Sequence, residues 1–299
     1  SPSLFPAAPS SQPSPLVFAS ASFDGSVAIR EQQGKDWDCI AQLEGHDNEV
    51  KCARWNATGT LLATCGRDKS VWIWECFLPG TALQGSEGDF DCLSVLNGHQ
   101  ADVKYVQFAD SHGEWGDGEE ILLSSSYDDT IRVWAEDTGD WYCAQSIMDT
   151  HKSTVWSLAA SPSGLRLISA SADGSLGILK AYATKEKRER FPKEGSHNNG
   201  LWKCVGKLNG AHDATIYSVA YSPAKAGHGC VASCGADCRI QIYREARESS
   251  SECPLFTLET AAAVPYGDLN HILWHPLDGS LLASAGDDGL VRIWSYKST

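Results

Sequence analysis

Along the chain, short runs of alternating apolar and polar residues are set apart by small and turn-forming residues. The runs SVWIW and TIRVW alternate with a period of two, which a half-buried strand requires. Six segments share one pattern of small residues, an aspartate and then an alternating run. They are ASASFDGSVAIR, ATCGRDKSVWIW, SSSYDDTIRVW, SASADGSLGIL, ASCGADCRIQIY and ASAGDDGLVRIW. The pattern predicts four short strands per repeat, joined by turns. In the second repeat these fall at 50–57, 61–67, 70–76 and 90–97.

The aligned aspartates are Asp24, Asp68, Asp128, Asp173, Asp237 and Asp288, at separations of 44, 60, 45, 64 and 51 residues. Trp74, Trp134 and Trp294 stand six residues after their aspartates, where the other repeats carry Arg30, Leu179 and Tyr243. Four loops end in a histidine, His46, His99, His151 or His212, and Val50, Val103, Val155 or Ile216 follows four residues later. A repeat of about 40–45 residues with these landmarks is the signature of a WD40 β-propeller blade, and the longer separations read as loop insertions. The predicted fold is therefore all-β, a WD40 propeller of seven-bladed family architecture with about six blades represented over residues 16–299. Residues 1–15 form a Pro/Ser-rich segment that reads as disordered. The first blade starts at its second strand near Leu16 and the last ends after its third near Lys297. That gives about 22 strands, against about 28 in a closed seven-bladed ring. The shortfall, and a first residue that is not Met, are the basis for expecting an N-terminally truncated or alternatively spliced product. The alternative is that the Pro-rich start patches a smaller or open ring, whose sheet edges then need covering.

The recurring polar residues suit one buried hydrogen-bonded chain per blade. In the second blade its members are His46, Thr64, Asp68 and Trp74. Equivalent residues are His99, Asp128 and Trp134, then His151 and Asp173, then His212 and Asp237, and finally Asp288 and Trp294. A buried polar network that is fully paired fixes the element it sits in. A His, a Ser or Thr and an Asp found in four blades is architecture, whereas a catalytic triad occurs once, with an exposed nucleophile. No phosphate loop, zincin motif or nucleophile elbow is present, so no enzyme activity and no cofactor are expected.

Composition narrows the partners. The 24 basic and 38 acidic residues give a formal net charge of −14, which disfavours nucleic acid and anionic membranes. Apolar runs fall short of the roughly 20 residues of a membrane span, and the N-terminal segment lacks the form of a secretory signal. The odd count of 11 cysteines, with no CxxC pair, suggests reduced thiols in a cytosolic or nuclear protein. Cys230, Cys234 and Cys238 in CVASCGADC are read as core and turn thiols, with no metal site.

Binding is expected on the propeller face that carries the turns. The residues before the turn aspartates are Phe23, Arg67, Tyr127, Ala172, Ala236 and Asp287. Strand starts add Glu49, Lys51, Asp102, Lys104, Trp156 and Tyr217. From these, Arg67, Lys51, Lys104, Tyr127, Trp156 and Tyr217 are the candidate partner-binding residues, because aromatic and cationic side chains dominate interface hot spots. They suit an acidic or carboxylate-ended peptide that carries an aromatic side chain. The basic stretch KEKRERFPK (185–193) reads as a solvated loop, and GEWGDGEE (113–120) as an acidic loop insertion.

Four stretches are more particular than the repeat itself: LEGHDNEVKCARWNATGTLLATCGRDKSVWIWE (43–75), CLSVLNGHQADVKYVQF (92–108), SSSYDDTIRVW (124–134) and HKSTVWSLAASPSG (151–164). They resemble the WD-repeat family of cytosolic iron–sulfur protein assembly. The likeness runs over nearly the whole chain from Leu16 and is closest in blades two to four. The resemblance implies a non-enzymatic scaffold of the targeting complex that delivers Fe–S clusters to cytosolic and nuclear apoproteins. Its implied partners are a small cysteine-bearing subunit, a HEAT-repeat adaptor and the apoprotein clients. It also implies a functional surface role for Arg67, in the GRDKS turn. The runner-up is a WD40 adaptor of another pathway, such as a ubiquitin-ligase substrate receptor or a chromatin-complex subunit.

Overall fold

A computed structural model describes residues 16–77, 89–190, 201–223, 230–246, 248–250, 252–265 and 267–297. The Pro/Ser-rich segment 1–15 lies outside the described residues. Among the described residues, twenty-two strands form six antiparallel meander sheets, four of four strands and two of three. The three-stranded sheets are the first (Val17–Ala21, Val27–Gln33, Asp36–Leu43) and the last (Leu269–Trp274, Leu281–Gly286, Val291–Ser295). Blade two shows the repeat in full, with Val50–Trp55 innermost, then Leu61–Gly66, Val71–Phe77 and Asp89–Leu96 outermost. The described residues thus form a six-bladed, all-β propeller.

The blades are held to one another by apolar faces. Both faces of an interior blade are buried, so its third strand carries apolar residues on each side. Val27 and Ile29 of blade one meet Leu62 and Trp74 of blade two in one core cluster. Val71 and Ile73 of blade two meet Val103, Leu122 and Trp134 of blade three in the next. The same contact recurs between blades three and four, four and five, and five and six. The innermost strands of blades two to six stand side by side around the axis.

Six blades make five such interfaces among the described residues, and none joins blade six to blade one. Val291 and Ile293 occupy the third-strand positions of Val71 and Ile73, yet they are 72% and 69% exposed against 0% for both counterparts. On the facing flank, Phe18 is partly exposed and packs edge-on against Trp37, with ring centroids 4.8 Å apart. Among the described residues these two flanks are left uncovered.

Two insertions depart from the sequence reading. The basic stretch after blade four's third strand is a helix over Thr184–Arg190 rather than a loop; its Lys, Glu and Arg are good helix formers. Residues 191–193 of that stretch lie outside the described residues. The 113–120 insertion is not simply an acidic surface loop, because Trp115 is 1% exposed and stacks on Trp202 at 6.0 Å. No helix among the described residues is long and apolar enough to cross a membrane.

The bare flank makes a paired comparison. Ile73→Ala should cost about 3–4 kcal/mol through lost burial and a residual cavity. Ile293→Ala should cost no more than about 0.5 kcal/mol. Urea unfolding measures both, and equal losses would show that blade six is covered in solution.

Candidate functional site

The site is built from the turns inward. In blade two, Asp68 Oδ2 accepts from His46 Nδ1 at 2.7 Å, and Thr64 Oγ1 bridges His46 Nε2 at 2.8 Å to the indole of Trp74 at 3.0 Å. Blade three repeats the chain through Asp128, His99, Ser124 and Trp134, at 2.9, 2.7 and 2.8 Å. In blade four His151 bonds Ser169 at 2.7 Å and Ser175 at 3.2 Å, with Asp173 3.4 Å away and Lys207 Nζ 3.0 Å from Asp173. In blade five His212 joins Asp237 and Ser233 at 2.9 and 2.7 Å, while the Tyr243 hydroxyl turns instead to the Ala211 carbonyl. Blade six keeps only the Ser284–Trp294 bond at 2.8 Å, and its Asp288 pairs with Arg292.

Each buried network fixes a turn, and the turn holds the start of the innermost strand. The amide of the residue before the turn aspartate donates to the carbonyl of the residue preceding that strand. The pairs are Arg67–Glu49, Tyr127–Asp102, Ala172–Thr154, Ala236–Thr215 and Asp287–Asp268, all at 2.8–2.9 Å. Just beyond, the ladder skips one residue in every blade from two to six, for example from Val50 opposite Gly66 to Cys52 opposite Cys65. The skipped residues are Lys51, Lys104, Trp156, Tyr217 and Asn270. A bulge leaves one residue unpaired and re-aims its side chain. Here it sends five equivalent side chains to the channel mouth.

These five, with Phe23 of blade one, rim a cavity of about 640 Å³. Lys51 Nζ lies 4.0 Å from the Phe23 ring centroid, and Lys104 Nζ lies 4.9 and 5.2 Å from the rings of Trp156 and Tyr127. Trp156 and Tyr217 meet edge to face at 5.1 Å, and the Tyr217 hydroxyl donates to Asp268 at 3.2 Å. So Lys51, Lys104, Trp156 and Tyr217 converge on one cup. Arg67 and Tyr127 stand on the same face outside its lining. Arg67 is paired with Glu49 at 3.1 Å, and Tyr127 is 57% exposed.

The floor of the cup was missed by sequence reasoning. It is made by the residues after the bulges, Cys52, Tyr105, Ser157, Ser218 and His271, together with Arg54. Arg54 was visible as a charge within an inner strand, but only the ring geometry brings it opposite His271, 217 positions away at 3.4 Å. In blade five the strand Cys230–Gly235 buries Cys230 and Cys234, whose thiols burial pushes up, and Cys238 occupies the turn with φ 58°.

The WD40 family model (WD domain, G-beta repeat) matches residues 37–75, 90–135, 141–178, 202–244 and 266–295, more than half of the chain. A protein of Botryotinia fuckeliana named "Probable cytosolic iron-sulfur protein assembly protein 1" is 32% identical, over 88% of this chain and 67% of its own. The protein of that name from Scheffersomyces stipitis is 34% identical, over 93% and 77%. The chain belongs to this WD40 family of cytosolic iron–sulfur protein assembly proteins. It spans about two thirds of the length of the filamentous-fungal members it matches, 67% and 66% in two of them. It spans 43% of a Schizosaccharomyces pombe protein named as a cytosolic Fe-S cluster assembly factor, at 35% identity. Among solved structures, a chain of the mitotic checkpoint complex superposes with a TM-score of 0.67 at 15% identity, covering 94% of this chain and 72% of that one, which shows the fold alone.

The networks set two expectations for stability in this family member. Thr64→Val removes the hydroxyl shared by His46 and Trp74 and should cost about 2–3 kcal/mol, because two buried groups lose a partner. Ser284→Ala strands only the Trp294 indole and should cost about 1 kcal/mol. Chemical denaturation of the two variants checks the difference.

The second expectation concerns pH. Burial lowers the pKa of His99 and His212, and takes His151 down to about 4. An unfolded histidine binds its proton near pH 6.5. The unfolded chain therefore holds more protons between about 6.5 and 4, and stability should fall as pH drops through that window. Burial alone would raise the Asp68 carboxyl, but hydrogen bonds from His46 and Ser70 outweigh it and hold the pKa at about 2. A second loss should follow as pH falls from about 4 to 2. Thermal melts across this range should show both steps; a flat profile from pH 7 to 4 would contradict the first.

Proposed function

We propose that this chain is a non-catalytic protein-binding scaffold of cytosolic iron–sulfur protein assembly. It works in the cytoplasm, and also in the nucleus, within a targeting complex that brings Fe–S clusters to apoproteins. Its partners are a small cysteine-bearing subunit, a HEAT-repeat adaptor and the apoprotein clients. The observation that carries the docking role is the cup. Five equivalent bulge residues, two of them lysines and two aromatic, face one opening in a protein of net charge −14. Lysines beside aromatic rings favour an acidic or carboxylate-ended segment with an aromatic side chain. The names of the relatives supply the pathway. The burial of the His–Ser–Asp groups supports a non-catalytic reading, since Ser124 and Ser169 are 0% exposed and cannot reach a substrate.

The test is affinity capture of the chain and its charge-reversed variants under reducing conditions, with the captured proteins identified by mass spectrometry. Lys51→Glu with Lys104→Glu, and separately Arg67→Glu, should weaken client binding at least tenfold while the melting temperature stays within a few degrees. Unchanged binding in all of these variants would refute docking on this face, and capture of an unrelated set of partners would refute the pathway.

A further inference from the structure

The floor of the cup has an unusual polar balance. Its lining holds Lys51, Arg54 and Lys104 but no Asp or Glu, in a chain whose acids outnumber its bases 38 to 24. The larger cavity of about 1040 Å³, which shares Arg54 and Tyr105 with the cup, is lined by Asp110, Glu119, Glu120 and Glu136. Arg54 and Tyr105 therefore mark the boundary between a cationic compartment and an acidic one. Among the described residues Lys104 has Asp102 at 3.1 Å, but neither Lys51 nor Arg54 has a carboxylate within ion-pair distance.

Donors also outnumber acceptors there. Arg54 Nη2 donates to the Tyr105 hydroxyl at 2.6 Å, while Arg54 Nε is buried with no acceptor. The Trp156 indole N–H, on the same lining, is likewise buried and unpaired. His271 Nδ1 faces the Ser218 hydroxyl at 2.8 Å and the Ile272 amide at 3.0 Å, which can only donate. The same amide also reaches Ser218 Oγ at 3.2 Å, so either ring nitrogen can carry the proton, and Nε2 lies 3.4 Å from Arg54 Nη2. Burial, with Arg54 adding to it, takes the His271 pKa to about 4, so the ring is neutral at pH 7 and carries one N–H. Tyr105 remains a phenol, because burial raises its pKa to about 12. A hydrogen bond from the Cys65 thiol and the charge of Arg54 lower the pKa of the buried Cys52 thiol, the direction that an excess of positive charge imposes. Buried donors left without acceptors are destabilising.

We propose that the cup floor is an oxyanion seat, in which one carboxylate or phosphate group lodges between Arg54 and His271 under Lys51 and Lys104. An oxyanion there would accept from Arg54 and, in the tautomer with the proton on Nε2, from His271, and would balance the positive charge. The seat deepens the docking role and rests on it only for the biological source of the anion. That source is a free anion or a carboxylate carried by a docked chain.

Isothermal titration of the purified chain decides it, using inorganic phosphate, N-acetylglycine and the neutral control N-acetylglycinamide. Saturable 1:1 binding of phosphate or N-acetylglycine is expected, weakening as salt rises, with no binding of the amide. Phosphate alone points to a free anion, and N-acetylglycine to a chain-borne carboxylate. R54M should weaken binding at least tenfold. K51Q, on the exposed rim, should weaken it several-fold with the fold intact, and H271F carries the same test as R54M if that variant does not fold. The seat is overturned if neither anion binds, or if R54M and H271F bind as the parent does. The titration contains no partner protein, so its failure is separable from a failure of partner capture.

Discussion

In blades two, three and five the hydrogen bond between a buried histidine and the turn aspartate 22 to 29 positions away supports the face that carries the cup. It joins the loop that enters a blade to the turn between that blade's second and third strands. The turn's backbone amide then clips the start of the innermost strand, and the bulge just beyond aims one side chain into the channel mouth. Three steps of ordinary geometry thus connect a structural residue in the blade to a rim residue at the axis. Asp128 and His99 place Tyr127 and Lys104 without lining the cup themselves.

The repeat, the strand positions of blade two and the network members could be read from the sequence because each depends on local spacing. Period-two alternation and the His-to-Asp interval are properties of one blade. The cup rim was legible for the same reason: Lys51, Lys104, Trp156 and Tyr217 all sit at one offset from a landmark histidine. The cup floor was not legible, since Arg54 and His271 belong to blades at opposite ends of the chain. The helix at Thr184–Arg190 was missed because its seven residues carry no apolar periodicity. Trp115 was overlooked because an acidic stretch hides one aromatic, whose burial depends on Trp202 arriving from another strand.

Substitutions in the blades show which part of the network is indispensable. Blade five replaces Trp by Tyr243, whose hydroxyl finds the Ala211 carbonyl, and its His–Asp bond survives. Blade four has Leu179 at that position and a looser His151–Asp173 contact, which Ser175 and Lys207 support. Blade six has lost the histidine and keeps a Ser–Trp bond alone. The turn and the bulge persist in all three. The indole is thus a refinement, while the aspartate and the clipped turn are the constant parts.

The bare flanks of blades one and six change how the molecule holds together. An interior blade is gripped from both sides, but each end blade is gripped from one side only. Among the described residues the blades therefore form a stack of coupled units whose two end members are held from one side only. Local opening should begin at the ends and die away toward blades three and four. The rim residues of blades two to five, which bear most of the cup, stand on the firmest part of that stack. Asn270 and His271 stand on its most pliant member, so the width of the channel at the Arg54–His271 contact is governed by how far blade six leans.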